Sequence, residues 1–566
     1  MTLGLQALLA AMPILVAAVL LVGLHWPAKR SMPVVYLVAA GIAWLAWQMP
    51  AVQIAASTIQ GLFITLEILY IIFGAILLLN VLTQSGAVGV IRSTFARISS
   101  DRRVQVLIIA WLFGSFLEGA SGFGTPAAIV GPLLVALGFP AMAAIMIGLM
   151  VQSTPVTFGA VGTPVLIGMS GGLESPELVA RLAQVGLSFE DYLRQIAMHA
   201  AVFHGIIGTL MPVLMIMMMT RFFGRHRSWT EGLSILPFAI FSGLAFTVPY
   251  TLTGVFLGPE FPSLLGALVG LALVTLAAQR GWLLPKDNWD FPPAEEWEEG
   301  WIGRLKVQVN NEGAQKRMPI WLAWLPYLLL AILLVLTRLP QLPVGKTLRE
   351  LVEISWTNIL GTQVSAHIYP LYLPGTALVL AVLLTLLLHR VNLRQFREAL
   401  SDSSKVLLGA GFVLLFTVPM VRVYINSGVN QLGLSSMPIA MAEWVAAHVG
   451  AVWPFFAASI GALGAFIAGS NTISNLMFSL FQFSVAESLH ISAALIVALQ
   501  AVGAAAGNMI AIHNIVAASA TVGLLGREGA MLRKTILPTL YYLVAAGVLG
   551  LVAVYLLGVS DPLMGV

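Results

Sequence analysis

The side chains best suited to chemistry in this 566-residue chain are the few ionisable ones inside long apolar runs. Glu67 and Glu118 could each take up and release a proton. Arg422 presents a planar fork of N–H donors that matches a carboxylate. His513 could relay a proton, because an unperturbed imidazole has a pKa of about 6.5. Ionisable groups are unfavourable in a bilayer, so each of these residues is a functional candidate.

Two short polar segments interrupt apolar runs, and we expect both to bind an anion. Residues 118–126 are rich in glycine, and residues 469–475 are rich in hydroxyl and amide side chains. A helix broken within the membrane leaves unpaired backbone groups that must line a buried cavity. The helix N-termini at such a break direct N–H groups at an anion. The predicted substrate-binding residues are Ser121, Gly122, Thr125, Gln152, Arg422, Ser470, Asn471 and Thr472.

Several of these side chains also have a purely structural interpretation. Glu118 could hydrogen-bond the free N–H groups of its own segment, and Glu67 could pair with a basic group. Arg422 could bind the substrate, pair with either glutamate, or reach the lipid headgroups. His199 and His204 point about 140° apart on a helix, so they cannot both face one ligand, and buried polar contacts are expected for them.

The composition predicts that these residues lie in a polytopic membrane protein. Hydrophobic residues make up 59% of the chain and charged residues only 9%, against about 25% charged in a soluble domain. This excludes a large water-soluble enzyme and a disordered or fibrous chain. The sequence has no cysteine, which excludes disulfides and thiolate metal sites. We expect no cofactor, no metal ion and no nucleic-acid partner.

Apolar runs of about 20 residues predict twelve transmembrane helices. They are expected at residues 5–24, 34–48, 61–82, 141–169, 195–219, 232–252, 262–279, 319–337, 374–389, 404–424, 490–516 and 535–558. Segments 104–138 and 451–487 are broken near their middles and are predicted to be re-entrant helical hairpins. The predicted cytoplasmic loops then hold 22 of the 28 Lys and Arg residues, in agreement with the positive-inside rule. This topology predicts that both termini lie outside and that loop 280–318 is a cytoplasmic linker between halves 1–279 and 319–566.

The two halves are predicted to be inverted repeats. The first hairpin starts from the cytoplasmic side and the second from the outside. Gln152 is followed seven residues later by Gly159, and Gln500 is followed at the same spacing by Gly507. We therefore expect a glycine-rich interruption of the helix after each Gln. Internal similarity with opposite membrane orientation is typical of inverted-repeat secondary transporters.

At these motifs the chain resembles the lactate permease family, whose bacterial members carry L-lactate, D-lactate and glycolate with protons. The resemblance covers most of the chain and rests on residues 113–126, 154–164 and 469–482. The triplet 470–472 is also similar to the tip motif of the wider ion-transporter superfamily, whose members carry dicarboxylates and citrate. The resemblance implies a scaffold domain and a moving transport domain in the cytoplasmic (inner) membrane of a bacterium.

The chain departs from the family's pattern in its second half. The better-known members carry an Asp at the second tip, where this chain has Asn471. They carry a Lys and a Ser-Pro-Gln in the later break, where this chain has Asn508 and residues 511–514. The second-repeat part of the site is therefore less charged here, which leaves the substrate and the proton carrier open.

These observations favour a proton-coupled symporter of a small 2-hydroxymonocarboxylate such as lactate or glycolate. The alternative is a sodium-coupled carrier of a related carboxylate, with Na⁺ held by unwound carbonyls near Gly119 and Gly469. Two closed tips argue against an anion channel. A membrane-embedded enzyme is disfavoured because the sequence shows neither a nucleophile–base constellation nor a metal motif. The preferred enantiomer, the number of protons and the oligomeric state stay open.

Overall fold

Helices dominate the structure. The computed structural model describes residues 1–24, 26–96, 98–122, 124–303, 318–338, 342–524 and 526–564. Eleven helices in these residues are long and apolar enough to cross a membrane. A small antiparallel sheet pairs β1 (Ile354–Trp356) with β2 (Ala366–Ile368). The prediction of an all-α polytopic membrane protein is confirmed.

The N-terminal half is a series of apolar helices joined by short connections. They are α1 (Leu3–Ala18), α2 (Ala28–Leu45), α3 (Ala51–Gln84), α4 (Ala87–Ala96), α5 (Arg102–Gln105), α6 (Gly114–Ser121), α7 (Thr125–Ala136), α8 (Ala141–Met150), α9 (Gly159–Thr163), α10 (Ser170–Leu173), α11 (Pro176–Gln184), α12 (Phe189–Gly208), α13 (Met211–Phe223), α14 (Leu236–Phe256) and α15 (Pro262–Gln279). Two π-helical stretches, Val106–Phe113 and Pro164–Met169, continue α5 into α6 and α9 into α10. At 1.5 Å per residue α3 is about 51 Å long, so it extends beyond a hydrocarbon core of about 30 Å.

The C-terminal half has the same character. Its helices are α16 (Ile320–Arg338), α17 (Val344–Leu351), α18 (Pro374–Leu388), α19 (Leu393–Ile425), α20 (Met437–Val449), α21 (Trp453–Ala468), α22 (Asn471–Ser488), α23 (Ala493–Asn508), α24 (Ile512–Val522) and α25 (Glu528–Leu551). Helix α19 begins with a capping box, in which Asn392 and Gln395 satisfy each other's backbone N–H groups. The cap fixes the start of a 33-residue helix whose later part is the predicted span 404–424.

The structure forms a helical hairpin at each of the two predicted segments. The first descends through α5 and α6 and returns through α7, and the Arg102 guanidinium at its start donates to the Leu137 carbonyl at its end. The second consists of α21 and α22, which turn at Gly469 with a φ of +69°. The Gln482 amide of α22 donates to the Ala457 carbonyl of α21 at 2.9 Å, so the two arms lie side by side.

The predicted interruption after Gln500 is wrong. Helix α23 is continuous through residues 501–507, and the chain breaks only at residues 509–511, before α24. Methyl groups on Gly503 or Gly507 would collide with the backbone of α21. These glycines therefore allow two helices to pack closely, as small residues do in membrane proteins, and they do not unwind the helix.

The helices form two groups. The scaffold bundle consists of α2, α3, α18 and α19, in which Gly61 of α3 packs directly on the backbone of Pro419 in α19. The Tyr70 hydroxyl and Thr376 Oγ1 lie 2.9 Å apart and connect α3 to α18. The hairpin core consists of both hairpins and the broken helices α8–α9 and α23–α24, packed against α12, α14, α15 and α25. The candidate residues of the two polar segments lie in the hairpin core.

Candidate functional site

The first tip is a glycine turn between α6 and α7. Gly122 and Gly124 have φ angles of +61° and +76°, in a left-handed region that favours glycine. A methyl group on Gly122 would lie 2.8 Å from the Cβ of Ala160, so glycine lets the tip approach the first broken helix closely. Ser121 Oγ donates to the Leu117 carbonyl at 2.7 Å and stabilises the last turn of α6.

Glu118 lies on α6 directly before this tip and is only 2% exposed. Its Oε1 faces Gly159, where an added methyl group would be 2.6 Å away. Its Oε2 makes no hydrogen bond with any residue that the structure describes. A buried carboxylate anion without a partner is unfavourable. An ionised Glu118 would therefore be unfavourable in these surroundings, and among the described residues it forms no ion pair.

The first break, between α8 and α9, is stabilised by hydrogen bonds from side chains of other helices. The Tyr250 hydroxyl donates to the Thr154 carbonyl at 2.8 Å, and Ser263 Oγ donates to the Pro155 carbonyl at 2.6 Å. Thr154 Oγ1 lies 2.9 Å from the Tyr542 hydroxyl. The contacts from Tyr250 and Ser263 satisfy backbone carbonyls that the broken helix leaves free, as a membrane interior requires.

The backbone is strained just beyond this break. Ala160, Val161 and Gly162 have φ angles of +42°, +54° and +80°, which is uncommon for residues with a side chain. Strain of this kind persists where the surrounding structure enforces it and is often found at functional sites. Gly162 packs against the Pro259 carbonyl, which brings the buried Glu260 close to the break. Sequence reasoning missed Glu260, although its short Gly-Pro-Glu connection between two spans was a visible signal.

The second tip lies at the start of α22. Asn471 Nδ2 donates to the Ala501 carbonyl at 3.2 Å. Asn475 Nδ2 donates to Asn471 Oδ1 at 2.7 Å and to the Pro164 carbonyl at 3.2 Å. Asn475 Oδ1 has no hydrogen-bond partner among the described residues. This tip therefore presents one free acceptor, while the amide of Asn471 is already engaged by the protein.

Each tip contacts the break of the opposite repeat. A methyl group on Gly124 of the first tip would lie 3.3 Å from Asn514 Oδ1, beyond the second break. Asn514 Nδ2 in turn donates to Gln152 Oε1 at 3.1 Å. Asn471 of the second tip lies 3.4 Å from Thr157 Oγ1, within the first break. Of the predicted substrate-binding residues, Gln152 therefore contacts the second repeat and Asn471 contacts the first.

A buried hydrogen-bonded network that sequence reasoning missed continues from the second tip. Thr157 Oγ1 lies 2.7 Å from His204 Nε2, and His204 Nδ1 lies 2.6 Å from the Tyr542 hydroxyl. A histidine inside an apolar span is a signal in itself. Its partners, however, are 47 and 338 residues away along the chain. The buried polar contacts expected for His204 are present, whereas His199 Nε2 is buried without a hydrogen-bond partner among the described residues.

Arg422 lies on α19 of the scaffold bundle and is buried. Its Nε donates to Gln60 Oε1 at 2.8 Å, and its Nη1 donates to the Gly171 carbonyl at 2.7 Å. Within the described part of the chain it forms no salt bridge with Glu67 or Glu118. Glu67 itself makes no side-chain hydrogen bond or salt bridge with another described residue. Arg422 therefore contacts the hairpin core through a carbonyl in α10.

The remaining candidates fall near the tips, and their roles stay predictions. The side chains of Thr125 and His513 lie outside the described residues, although the backbone of each begins or continues a helix at its break. Ser470 precedes α22 without a side-chain capping bond, and Thr472 in its first turn is buried. In the described ranges no three His, Cys, Asp or Glu side chains group as metal ligands do. The polar groups at the tips are amides, hydroxyls and one carboxyl group.

Several known proteins are similar to this chain over most of its length. The family model described as "L-lactate permease" matches residues 6–557. A putative L-lactate permease of Haemophilus influenzae is 31% identical over 546 residues, 94% of this chain and 95% of that protein. The glycolate permease GlcA of Escherichia coli is 30% identical over 585 residues, covering 98% and 96%. Among solved structures, the YdaH transporter of Alcanivorax borkumensis matches with a TM-score of 0.38 and 15% identity, covering 87% of this chain and 86% of that one.

Proposed function

We propose that this chain, which belongs to the L-lactate permease family, carries small 2-hydroxymonocarboxylates such as lactate and glycolate together with protons. Family membership supports a multi-pass membrane transporter. The names of its relatives, L-lactate and glycolate permeases, support the substrate class. The observation that carries proton coupling is Glu118, a buried carboxyl group at the first tip with an oxygen that has no partner among the described residues.

The coupling follows from the cost of burying charge. A substrate anion alone would bring one negative charge into the closed core, and an ionised Glu118 would add a second. Like charges in a medium of low dielectric constant repel strongly, so substrate binding favours the protonated carboxyl group. The core loaded with substrate and proton then moves with one negative charge fewer than it would carry if Glu118 were ionised. Release of the substrate anion and the proton on the other side returns the carrier to its empty state.

The test compares net uptake with exchange for Glu118→Gln in proteoliposomes. Glutamine has the size of the protonated acid but cannot release a proton. We expect labelled lactate uptake driven by an inward proton gradient to be lost, while lactate–lactate exchange without a gradient continues. Gradient-driven uptake at the wild-type rate in this variant would assign the coupling to another residue, and His513 and Glu67 are the remaining candidates.

We also propose the orientation in the cytoplasmic membrane, with loop 280–318 in the cytoplasm and both termini outside. Among described residues, salt bridges that join two loops connect loops of the same predicted side. Arg102 pairs with Asp290 at 2.9 Å between predicted cytoplasmic loops, and Arg349 pairs with Glu190 at 2.7 Å between predicted outer loops. This partition supports the predicted grouping of the loops by side, and the distribution of basic residues then gives the orientation.

Transport requires one group of helices to move against the other. We infer that the hairpin core moves and the scaffold bundle stays, because the candidate binding residues lie almost entirely in the core. Rigid movement of a packed unit around a fixed site is typical of inverted-repeat carriers. In this view the halves 1–279 and 319–566 each contribute one hairpin and one broken helix to the moving unit.

Sodium coupling is the second candidate, and one observation favours it. Asn475 Oδ1 is buried and unpartnered within the described structure, close to the oxygens of Asn471 and Pro164. Oxygen ligands of this kind suit a small hard cation. Replacing Na⁺ by choline at a constant proton gradient separates the two candidates, since only a sodium-coupled carrier would then stop.

A further inference from the structure

Three residues with amide side chains are linked by hydrogen bonds where the first tip meets the second break, and we call them the amide cluster: Gln152, Asn508 and Asn514. Asn514 Nδ2 donates to Gln152 Oε1 at 3.1 Å and to the Asn508 carbonyl at 3.2 Å. All three side chains are more than nine-tenths buried. The cluster joins residues 362 positions apart in the chain, so it exists only in the folded arrangement of both repeats.

Two polar atoms of the cluster are left without a partner. Gln152 Nε2, a donor, and Asn508 Oδ1, an acceptor, are buried and make no hydrogen bond with any described residue. Buried polar atoms are nearly always hydrogen-bonded, because an unpaired one loses its interaction with water without compensation. An unpaired donor and an unpaired acceptor in one cluster indicate a ligand that carries an acceptor and a donor of its own.

The surroundings favour an anionic group on the side of Gln152. Helices α7 and α24 both begin at the cluster, and the N-terminal ends of helices carry partial positive charge. A methyl group on Gly124, the residue before α7, would lie 3.5 Å from Gln152 Nε2 and 3.3 Å from Asn514 Oδ1. The absence of a side chain at Gly124 leaves room beside the free donor, where an anion would meet both helix ends.

We propose that the amide cluster recognises the 2-hydroxycarboxylate group of the substrate. Gln152 Nε2 donates to a carboxylate oxygen, and Asn508 Oδ1 accepts the proton of the adjacent hydroxyl group. The inference rests on the proposed function and adds Asn508 as a specificity-determining residue. A 2-oxo acid places a second acceptor against Asn508 Oδ1, and an acid without the hydroxyl leaves that atom unpaired, so both bind more weakly.

The first test uses the wild-type protein in proteoliposomes and measures inhibition of labelled L-lactate uptake. The competitors are unlabelled L-lactate, glycolate, propionate and 2-fluoropropionate. Fluorine is close to a hydroxyl group in size but cannot donate a hydrogen bond. We expect lactate and glycolate to inhibit at concentrations at least about tenfold lower than the other two acids. Equal inhibition by 2-fluoropropionate and lactate would overturn the proposal.

The second test repeats the panel for Asn508→Leu, which keeps the size of the side chain and removes the acceptor. We expect the lactate-to-propionate discrimination to shrink by about tenfold, while propionate inhibits as it does in the wild type. Thr275→Val is the matched control, because Thr275 Oγ1 is another buried polar atom without a partner among the described residues and lies in α15, outside the cluster. This control should keep the wild-type discrimination.

The outcomes separate this inference from the proposed function. Wild-type discrimination in Asn508→Leu refutes the role of Asn508 while lactate transport stands. If Asn508→Leu does not fold, the proposal is decided by whether 2-fluoropropionate inhibits wild-type uptake as well as lactate does. A wild-type protein that takes up no lactate or glycolate refutes the proposed function itself.

Discussion

Replacing Gly159 by alanine tests the role of Glu118 while leaving the Glu118 side chain chemically unchanged. Gly159 has φ −68° and ψ 159°, extended backbone that alanine adopts freely, so the substitution introduces no backbone strain. The new methyl group would lie 2.6 Å from Glu118 Oε1 and 3.4 Å from its Cδ and Cγ. The carboxyl group must therefore move away from the first break to restore an ordinary contact.

The expected size of the effect follows from the packing of the site. Adding a methyl group to a filled interior costs about 1–3 kcal/mol. If the whole penalty falls on the state in which Glu118 is poised to exchange its proton, gradient-driven uptake slows by roughly 5- to 150-fold. Lactate–lactate exchange needs no net proton movement, so it should change much less.

The assay is labelled lactate uptake into proteoliposomes, measured with and without an inward proton gradient. The matched control is Gly89→Ala in α4, because an added methyl group there meets nothing within 4 Å. In the Glu118→Asp background the carboxyl group is retracted by one methylene, so Gly159→Ala should reduce uptake by a smaller factor. The same factor of loss in both backgrounds, or wild-type uptake in Gly159→Ala, would refute the steric reasoning.

Two further substitutions test the packing of the core and its contact with the scaffold bundle. Gly503→Ala should lower the free energy of unfolding by about 1–3 kcal/mol, because the new methyl group collides with a carbonyl of α21. The effect should be seen as a lower melting temperature in detergent. An unchanged melting temperature would contradict the close packing of α21 and α23. Arg422→Lys should destabilise the protein by about 1.5–3 kcal/mol per lost charged hydrogen bond, since an ammonium group cannot reproduce the fork that binds Gln60 and Gly171. Lactate inhibition constants should stay within about twofold in this variant, and a loss of tenfold or more would show that Arg422 binds the substrate directly.

The hairpins could be predicted from the sequence because their signals are local. An apolar run too long for one span, broken by Gly122 and Gly124 or by Gly469, has few physical solutions in a membrane. The distribution of basic residues then requires each run to return to its starting side. The family predicted from the motifs around these breaks is likewise confirmed.

The position of the second break could not be predicted in the same way. Glycine spacing after Gln500 resembles that after Gln152, but Gly503 and Gly507 face the backbone of α21 and remain helical. Whether a glycine opens a helix or lets two helices approach depends on the neighbour it meets, and that neighbour is set by tertiary structure. The same reason hides the partners of His204, which come from the first break and from α25.

The crosswise contacts between tips and breaks restrict which parts can move. The first tip lies against Asn514, beyond the second break, and the second tip contacts Thr157 in the first break. His204 then ties Thr157 to Tyr542 in α25. Moving the second hairpin alone would separate Asn471 from Thr157 and Asn475 from the Pro164 carbonyl, and each unpaired buried group costs about 1–3 kcal/mol. Movement of the whole core keeps these contacts intact. The contacts that change would then lie at the surface facing α3 and α19, where Arg422 donates a hydrogen bond to the Gly171 carbonyl. The hydrogen bonds that build the site are thus also the reason to expect it to move as one body.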